Sequence, residues 1–253
     1  MRKPLVVGNW KMNTTQEEAA ALVSSLVPAL EGLSSELDVV VCPPFPWLVE
    51  AARALQGSRV GLGAQNMHTE ASGAYTGEVS PRMLKGLCQW VLIGQYERRI
   101  YFGDKDAIVR RKLQVAQQHG LRPILCVGEN ADQLDEGVGL YVVAEQLEAN
   151  LDGVRLDADL VIAYDPVWTT MGLVAPPPLS YAAEMVDHIR QTLSDLFTPG
   201  LGSQARVIYG GSVTPRNIAE IAALETIDGV LAGTTSTNAP NFKLFVQAFA
   251  TRG

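Results

Sequence analysis

Hydrophobic positions gather into eight short runs spread along the whole chain: 5–9 (LVVGN), 37–43 (LDVVVCP), 59–66 (RVGLGAQN), 90–94 (WVLIG), 122–129 (RPILCVGE), 160–165 (LVIAYD), 206–211 (RVIYGG) and 229–233 (GVLAG). Most are too short for helices and are rich in Val and Ile. Runs of this kind, without polar alternation, predict strands covered on both faces.

Helix signals fall in the gaps. Thr14 with Glu17 three residues later predicts a capping box ahead of EEAAALVSSLVPAL, and Pro28 should kink or end that helix. Ser80-Pro81 and Thr214-Pro215 each place an N-cap before a proline at the first helical position. Asp104 can start KDAIVRRKLQVAQQH and Gly120 can end it, and segments 131–150 and 179–197 are also amphipathic. Strands alternating with helices imply a parallel sheet with right-handed crossovers. Eight such units in 253 residues fit a single (β/α)8 barrel over 1–253. An open doubly wound sheet is the other arrangement. It is disfavoured by a first turn without G-x-G-x-x-G and by the lack of a composition shift marking a second domain.

A barrel carries its site at the C-terminal ends of its strands. Those ends here hold Asn9 and Lys11, Gln65 and Asn66, Gln95 and Glu97, Glu129, Asp165, Gly210-Gly211-Ser212, and Gly233-Thr234. Any barrel must solvate its strand ends, so one polar residue there means little. Lys11, Glu97 and Asp165 together with two small-residue turns are harder to dismiss as chance polarity.

Composition narrows the classes. The chain is 47% hydrophobic and 19% charged, ordinary for a globular protein with a sizeable core. A net charge of −7 argues against nucleic acid as the main partner, while a few local donors can still hold an anionic substrate. No run is long enough to span a bilayer and the first thirty residues show no leader pattern, so a cytoplasmic protein is expected. Cys42, Cys88 and Cys126 lie far apart beside apolar residues, and His68, His119 and His188 stand one per region. Neither set has metal-ligand spacing, and no metal is expected.

From GNWKMN (8–13) onwards the chain resembles the triosephosphate isomerase family. The match continues in order through GAQN…GAYTGEVS (63–80), LIG-Q-YERR (92–99), PILCVGE (123–129), AYDPVW (163–168) and YGGSV (209–213). The resemblance implies a TIM barrel that interconverts an aldose and a ketose phosphate through an enediolate, with no cofactor or metal. It assigns Lys11 to charge stabilisation at the carbonyl with Asn9 beside it, and places Gln95, Glu97 and Asp165 among the catalytic residues. The phosphate would lie on amides of Ser212, Gly233 and Thr234 with one from the lid near Met171. Small residues let backbone approach a dianion. The lid would run through Pro166, Val167, Trp168, Thr169, Thr170, Gly172, Leu173 and Val174. Tyr75, Thr76 and Gly77 would form a loop that reaches a second subunit, which implies a homodimer.

Four departures from the family pattern fall at the chemistry. Gln95 stands in place of His, Tyr96 in place of Ser, Asp165 in place of Glu, and the lid reads TTMGLV before Pro176-Pro177-Pro178. An amide can donate to a carbonyl oxygen but does not readily exchange a proton with an enediolate. Gln95 is therefore expected only to polarise, with Asp165 carrying protons between oxygens as well as carbons. On an unchanged backbone the shorter acid withdraws by roughly an ångström, which can cost about a hundredfold in rate. Tyr96 is either its hydrogen-bond partner or a packing aromatic. Three successive prolines should stiffen the exit of the lid.

Two functions follow from this reading. The first is isomerisation of a short sugar phosphate, triose phosphate by resemblance or a tetrulose phosphate given the retracted base. The second is a catalytically impaired barrel that only binds a phosphosugar. Metal-assisted aldol or hydrolytic chemistry lacks the ligands.

Overall fold

A computed structural model describes residues 2–32, 37–157, 159–170 and 178–252. All eight expected strands form: β1 (Leu5–Asn9), β2 (Asp38–Cys42), β3 (Val60–Ala64), β4 (Trp90–Ile93), β5 (Arg122–Val127), β6 (Val161–Tyr164), β7 (Arg206–Tyr209) and β8 (Gly229–Ala232). They pair in parallel in chain order, and β1 closes on β8 with Leu5 opposite Gly229. The sheet is thus a closed barrel with helices in the connections, a (β/α)8 TIM barrel without free sheet edges.

Alternation along each strand splits the core in two. Leu5, Val7, Val40, Cys42, Trp90, Leu92, Ile124, Cys126, Val161, Ala163, Ile208 and Leu231 pack on one another inside the barrel. Their chain neighbours, such as Val6, Val41, Val91, Leu125, Ile162 and Val207, pack outward against helix residues including Leu22, Leu113, Val143, Ile189 and Phe245. Both faces are apolar, which is why the strands read as continuous runs.

The interior is filled by compensation in size. Strand β3 offers only Gly61 and Gly63 to the inside, and Trp90 of β4 occupies the space. A Cβ on Gly61 would lie 3.2 Å from Trp90 Nε1, and one on Gly63 would lie 2.6 Å from Cys42 Sγ. The guanidinium carbons of Arg122 and Arg206 sit 5.2 and 5.4 Å from the Trp90 ring, closing the end of the barrel away from the mouth.

Helix boundaries correct four expectations. The first capping box is Thr15 with Glu18, not Thr14 with Glu17. Thr15 N donates to Glu18 Oε2 at 2.8 Å and Glu18 N to Thr15 Oγ1 at 3.3 Å. Thr14 has a left-handed φ of 79°, and its carbonyl accepts from Trp47 Nε1, so tertiary contact moved the start by one residue. Pro28 ends this helix as expected, one residue before its last at Ala29.

Asp104 does not start the next long helix, which runs Asp106–Gln118. Its buried carboxylate accepts from Lys112 Nζ at 2.5 Å and from Arg98 Nε at 3.2 Å. Segment 131–150 is two helices, Ala131–Asp135 and Gly139–Leu151, divided at Gly137 with φ 72°. Thr214-Pro215 opens a turn in which Asn217 Oδ1 accepts from Thr214 N at 2.8 Å, and the helix begins only at Ile218. Ser80 caps the short helix Pro81–Leu84 as read from sequence.

Trp90→Ala empties the space that β3 leaves open. It should cost about 3–5 kcal/mol, read as a lower urea midpoint at unchanged slope.

Candidate active site

The inward alternation carries on past the last hydrophobic layer to the mouth. After Leu5 and Val7 the next inward residue is Asn9, and after Val161 and Ala163 it is Asp165. Strands β5, β7 and β8 continue the same way to Gly128, Gly210 and Gly233. Strand geometry alone therefore sends one amide and one carboxylate into the mouth and leaves room beside them.

Gln95 breaks the alternation, because Trp90 and Leu92 would be followed by Gly94. That glycine takes φ 81°, and a Cβ on it would meet Cys126 O at 3.0 Å. The left-handed residue turns the chain so that Gln95, buried, borders the cavity in Gly94's place. The helix Tyr96–Phe102 starts immediately after it.

Lys11 reaches the mouth from the loop after β1 with φ 52°. Its N–H donates to Asn9 Oδ1 at 3.0 Å, and its carbonyl accepts from Gln65 Nε2 at 2.9 Å. The ammonium pairs with Glu97 Oε1, and the Lys11 stem passes 3.5 Å from where a Gly233 Cβ would be. A lysine held at both backbone ends and steered by a carboxylate is a directed cation rather than a solvated one.

Asp165 is buried, its N–H donating to Val127 O at 2.8 Å. Its backbone is wedged between two glycines. A Cβ on Gly128 would fall 1.8 Å from Asp165 O, and one on Gly210 would fall 3.3 Å from Asp165 Cβ. Asn9, Lys11, Gln95 and Asp165 line one cavity of about 240 Å³ together with Gly210, Ser212, Gly233 and Thr234. Ser212 has φ 37°, and its carbonyl accepts from Asn217 Nδ2 at 3.0 Å. Thr234 opens a 3-10 turn, Thr234–Thr237, closed by Ser236 Oγ donating to Gly233 O at 2.7 Å. A threonine after Gly233 is accommodated because its side chain is exposed.

Tyr96 lines a different space. With Asp165, Arg99, Gly128, Asn130 and Gln133 it borders a second cavity of about 150 Å³ behind the carboxylate. Glu129 is fully buried at the end of β5. Its Oε1 accepts from Tyr164 OH at 3.0 Å and Trp168 Nε1 at 3.1 Å, and burial raises its carboxyl above the usual range. Val167 N also donates to Glu129 O at 3.1 Å, so Glu129 holds the segment Pro166, Val167 and Trp168, where the sequence places the start of a lid. The helix Val167–Thr170 includes Thr169 and Thr170, whereas Met171, Gly172, Leu173, Val174, Pro176 and Pro177 lie outside the described residues.

In the loop between β3 and Pro81, Tyr75 stacks on His68 with ring centroids 4.2 Å apart, and Tyr75, Thr76 and Gly77 are exposed. Sequence reasoning missed Cys126 as a neighbour of Gln95. The signal was its inward place on β5, two residues beyond Ile124. Val213, Thr214, Leu231 and Thr235 also border the cavity, beyond the residues expected there. Among the described residues no cluster of His, Cys, Asp and Glu could hold a metal.

The chain matches the family model described as triosephosphate isomerase over residues 4–249. It is 47% identical over 246 residues to triosephosphate isomerase of Chloroflexus aurantiacus, covering 96% of this chain and 97% of that protein. To that of Carboxydothermus hydrogenoformans it is 44% identical over 251 residues, covering 98% and 99%. The protein of the same name from Herpetosiphon aurantiacus is 45% identical over 251 residues, covering 98% and 99%.

Two outcomes are expected from this geometry. Gly94→Ala should cost at least about 1–2 kcal/mol from backbone handedness alone, measured by denaturant unfolding. Because Glu129 is raised, its neutral form favours the fold. Stability should therefore fall as pH climbs from the ordinary carboxylate value through the raised one, and Glu129→Gln should remove that decline in urea midpoints taken across a pH series.

Proposed function

The chain belongs to the triosephosphate isomerase family and is an intramolecular oxidoreductase that interconverts dihydroxyacetone phosphate and glyceraldehyde 3-phosphate; we propose that Asp165 is its single proton carrier and Gln95 a polariser that moves no proton. The observation that supports this assignment is the convergence of Asp165, Lys11 and Gln95 on one cavity with Ser212 and Gly233. A barrel that only bound a phosphosugar would need Lys11, Ser212 and Gly233 but no buried carboxylate beside them, so the impaired reading is not favoured over the isomerase.

The Asp165 carboxylate takes the C1 proton of the ketose, and the electron pair moves to O2 as an enediolate. Lys11 and the Gln95 amide stabilise that oxyanion, with Asn9 beside them. The Asp165 carboxyl then protonates O2, removes the proton from O1, and delivers it to C2, leaving the aldehyde at C1 and the carboxylate restored. Gln95 takes no part in these transfers, because an amide nitrogen is too weak an acid at neutral pH. Glu97 holds the Lys11 ammonium in place. The phosphate rests against Ser212, Gly233 and Thr234.

We further propose a homodimer in the cytoplasm. Met12 is 97% exposed beside the site lysine, and Tyr75, Met83, Tyr101 and Phe102 are also exposed. A monomer would leave these apolar side chains in water. The three cysteines are buried and unpaired, as suits a reducing compartment.

Turnover of either triose phosphate in D2O, followed by proton NMR, tests the assignment. Asp165→Ala should lower kcat/KM by about 10²–10⁴, and Gln95→Leu should lower kcat by about 10²–10³. Undiminished turnover in Asp165→Ala would show that the base is elsewhere. Sedimentation should give twice the 27.3 kDa chain mass.

A further inference from the structure

An amide has two ends of opposite character, an oxygen that accepts and a nitrogen that donates. Which end of Gln95 faces the substrate decides whether it steadies or repels an oxyanion. The hydrogen bonds around it give the answer from an unambiguous start. The Lys11 backbone N–H can only donate, and it donates to Asn9 Oδ1 at 3.0 Å. Asn9 thus turns Nδ2 towards Gln95, whose Oε1 accepts at 3.5 Å. Gln95 Nε2 is left on the far side, where it donates to Cys126 Sγ.

Cys126 is buried on the inward face of β5. Burial, and then the negative charge of Asp165, push its thiol up, so it keeps its proton at neutral pH. That S–H has Ile124 O as its acceptor, 4.0 Å away. The chain of bonds is directional, from a backbone N–H at β1 to a backbone carbonyl within β5.

We infer that Cys126 is a positioning residue whose sulfur, at the end of this directional chain, fixes the Gln95 carboxamide so that the second N–H of Nε2 remains for the substrate oxygen. The inference rests on the reading of Gln95 as polariser. A glutamine side chain has three rotatable bonds and loses its orientation unless both ends of the amide are held. Asn9 holds the oxygen by a long bond only, so without the sulfur the amide can turn over. Its oxygen would then face the developing negative charge. Serine at 126 keeps both an acceptor and a donor, whereas alanine and valine keep neither.

The test compares Cys126→Ala, Cys126→Ser and Cys126→Val by kcat and KM with triose phosphate, and by the Gln95 side-chain NH2 signals in a ¹⁵N–¹H spectrum. Those signals are assigned as the pair lost in Gln95→Glu. Cys126→Ala and Cys126→Val should lower kcat about tenfold with KM within about twofold, and Cys126→Ser should stay within about threefold of the parent. The Gln95 signals should move in Ala and Val and stay near their parent positions in Ser. Equal loss of kcat in Ala, Ser and Val, or unmoved Gln95 signals in Ala and Val, overturns the inference. If Cys126→Ala does not fold, Cys126→Val, closer to cysteine in bulk, decides the same question. A parent chain without turnover would instead refute the proposed function, and the spectra alone would then decide the role of Cys126.

Discussion

Closure of the barrel is the constraint on which everything else rests. Eight parallel strands joined edge to edge leave one enclosed face, and alternation assigns every second residue to it. The deeper inward positions must be apolar and close-packed, which Trp90 against Gly61 and Gly63 illustrates. The same parity brings Asn9, Asp165 and three glycines to the mouth, where the strands end and water begins. The active cavity is the next layer of the core, with polar atoms and gaps in place of side-chain carbon.

Two residues enter that layer by leaving the alternation, and both depend on left-handed backbone nearby. Gly94 lets Gln95 take the place its parity would deny it, and the conformation of Lys11 turns its ammonium back across Gly233. A glycine adopts this geometry at no steric cost, but a lysine does so only because its neighbours hold it. Asn9 Oδ1 and Gln65 Nε2 secure the two backbone ends of Lys11, and Glu97 secures its charge. The left-handed φ at Ser212 is a third such position on the cavity wall, so strained backbone gathers where Asn9, Gln95 and Asp165 meet.

The departures at 95, 96 and 165 gain a common sense from this arrangement. A carboxylate shortened by one methylene sits between a 240 Å³ cavity and a 150 Å³ cavity, with Tyr96 on the wall of the second. The aromatic thus stands on the side of the acid away from the cavity that Lys11 and Gln95 line. Replacing an imidazole by an amide removes a proton donor but keeps a dipole, and a dipole helps only if its direction is fixed. That places weight on the bonds by which Asn9 and Cys126 hold the Gln95 carboxamide, the orienting role proposed above.

The sequence by itself determined the barrel, its eight strands, most of its helices and most of the residues at the mouth. Strand runs, caps and the glycine at 120 are local signals, carried by neighbours in the chain, and so are the motifs at Asn9, Lys11, Asp165 and Ser212. Tertiary structure decided what depends on partners distant in sequence. Trp47 draws on the Thr14 carbonyl and the first helix starts at Thr15's cap, while Lys112 and Arg98 take Asp104 away from capping. Only the fold shows that Tyr96 faces the space behind the acid, or that a cysteine 31 residues from Gln95 receives its amide. Hydrogen-bond direction between strands is a property of their register, and no single segment of sequence contains it.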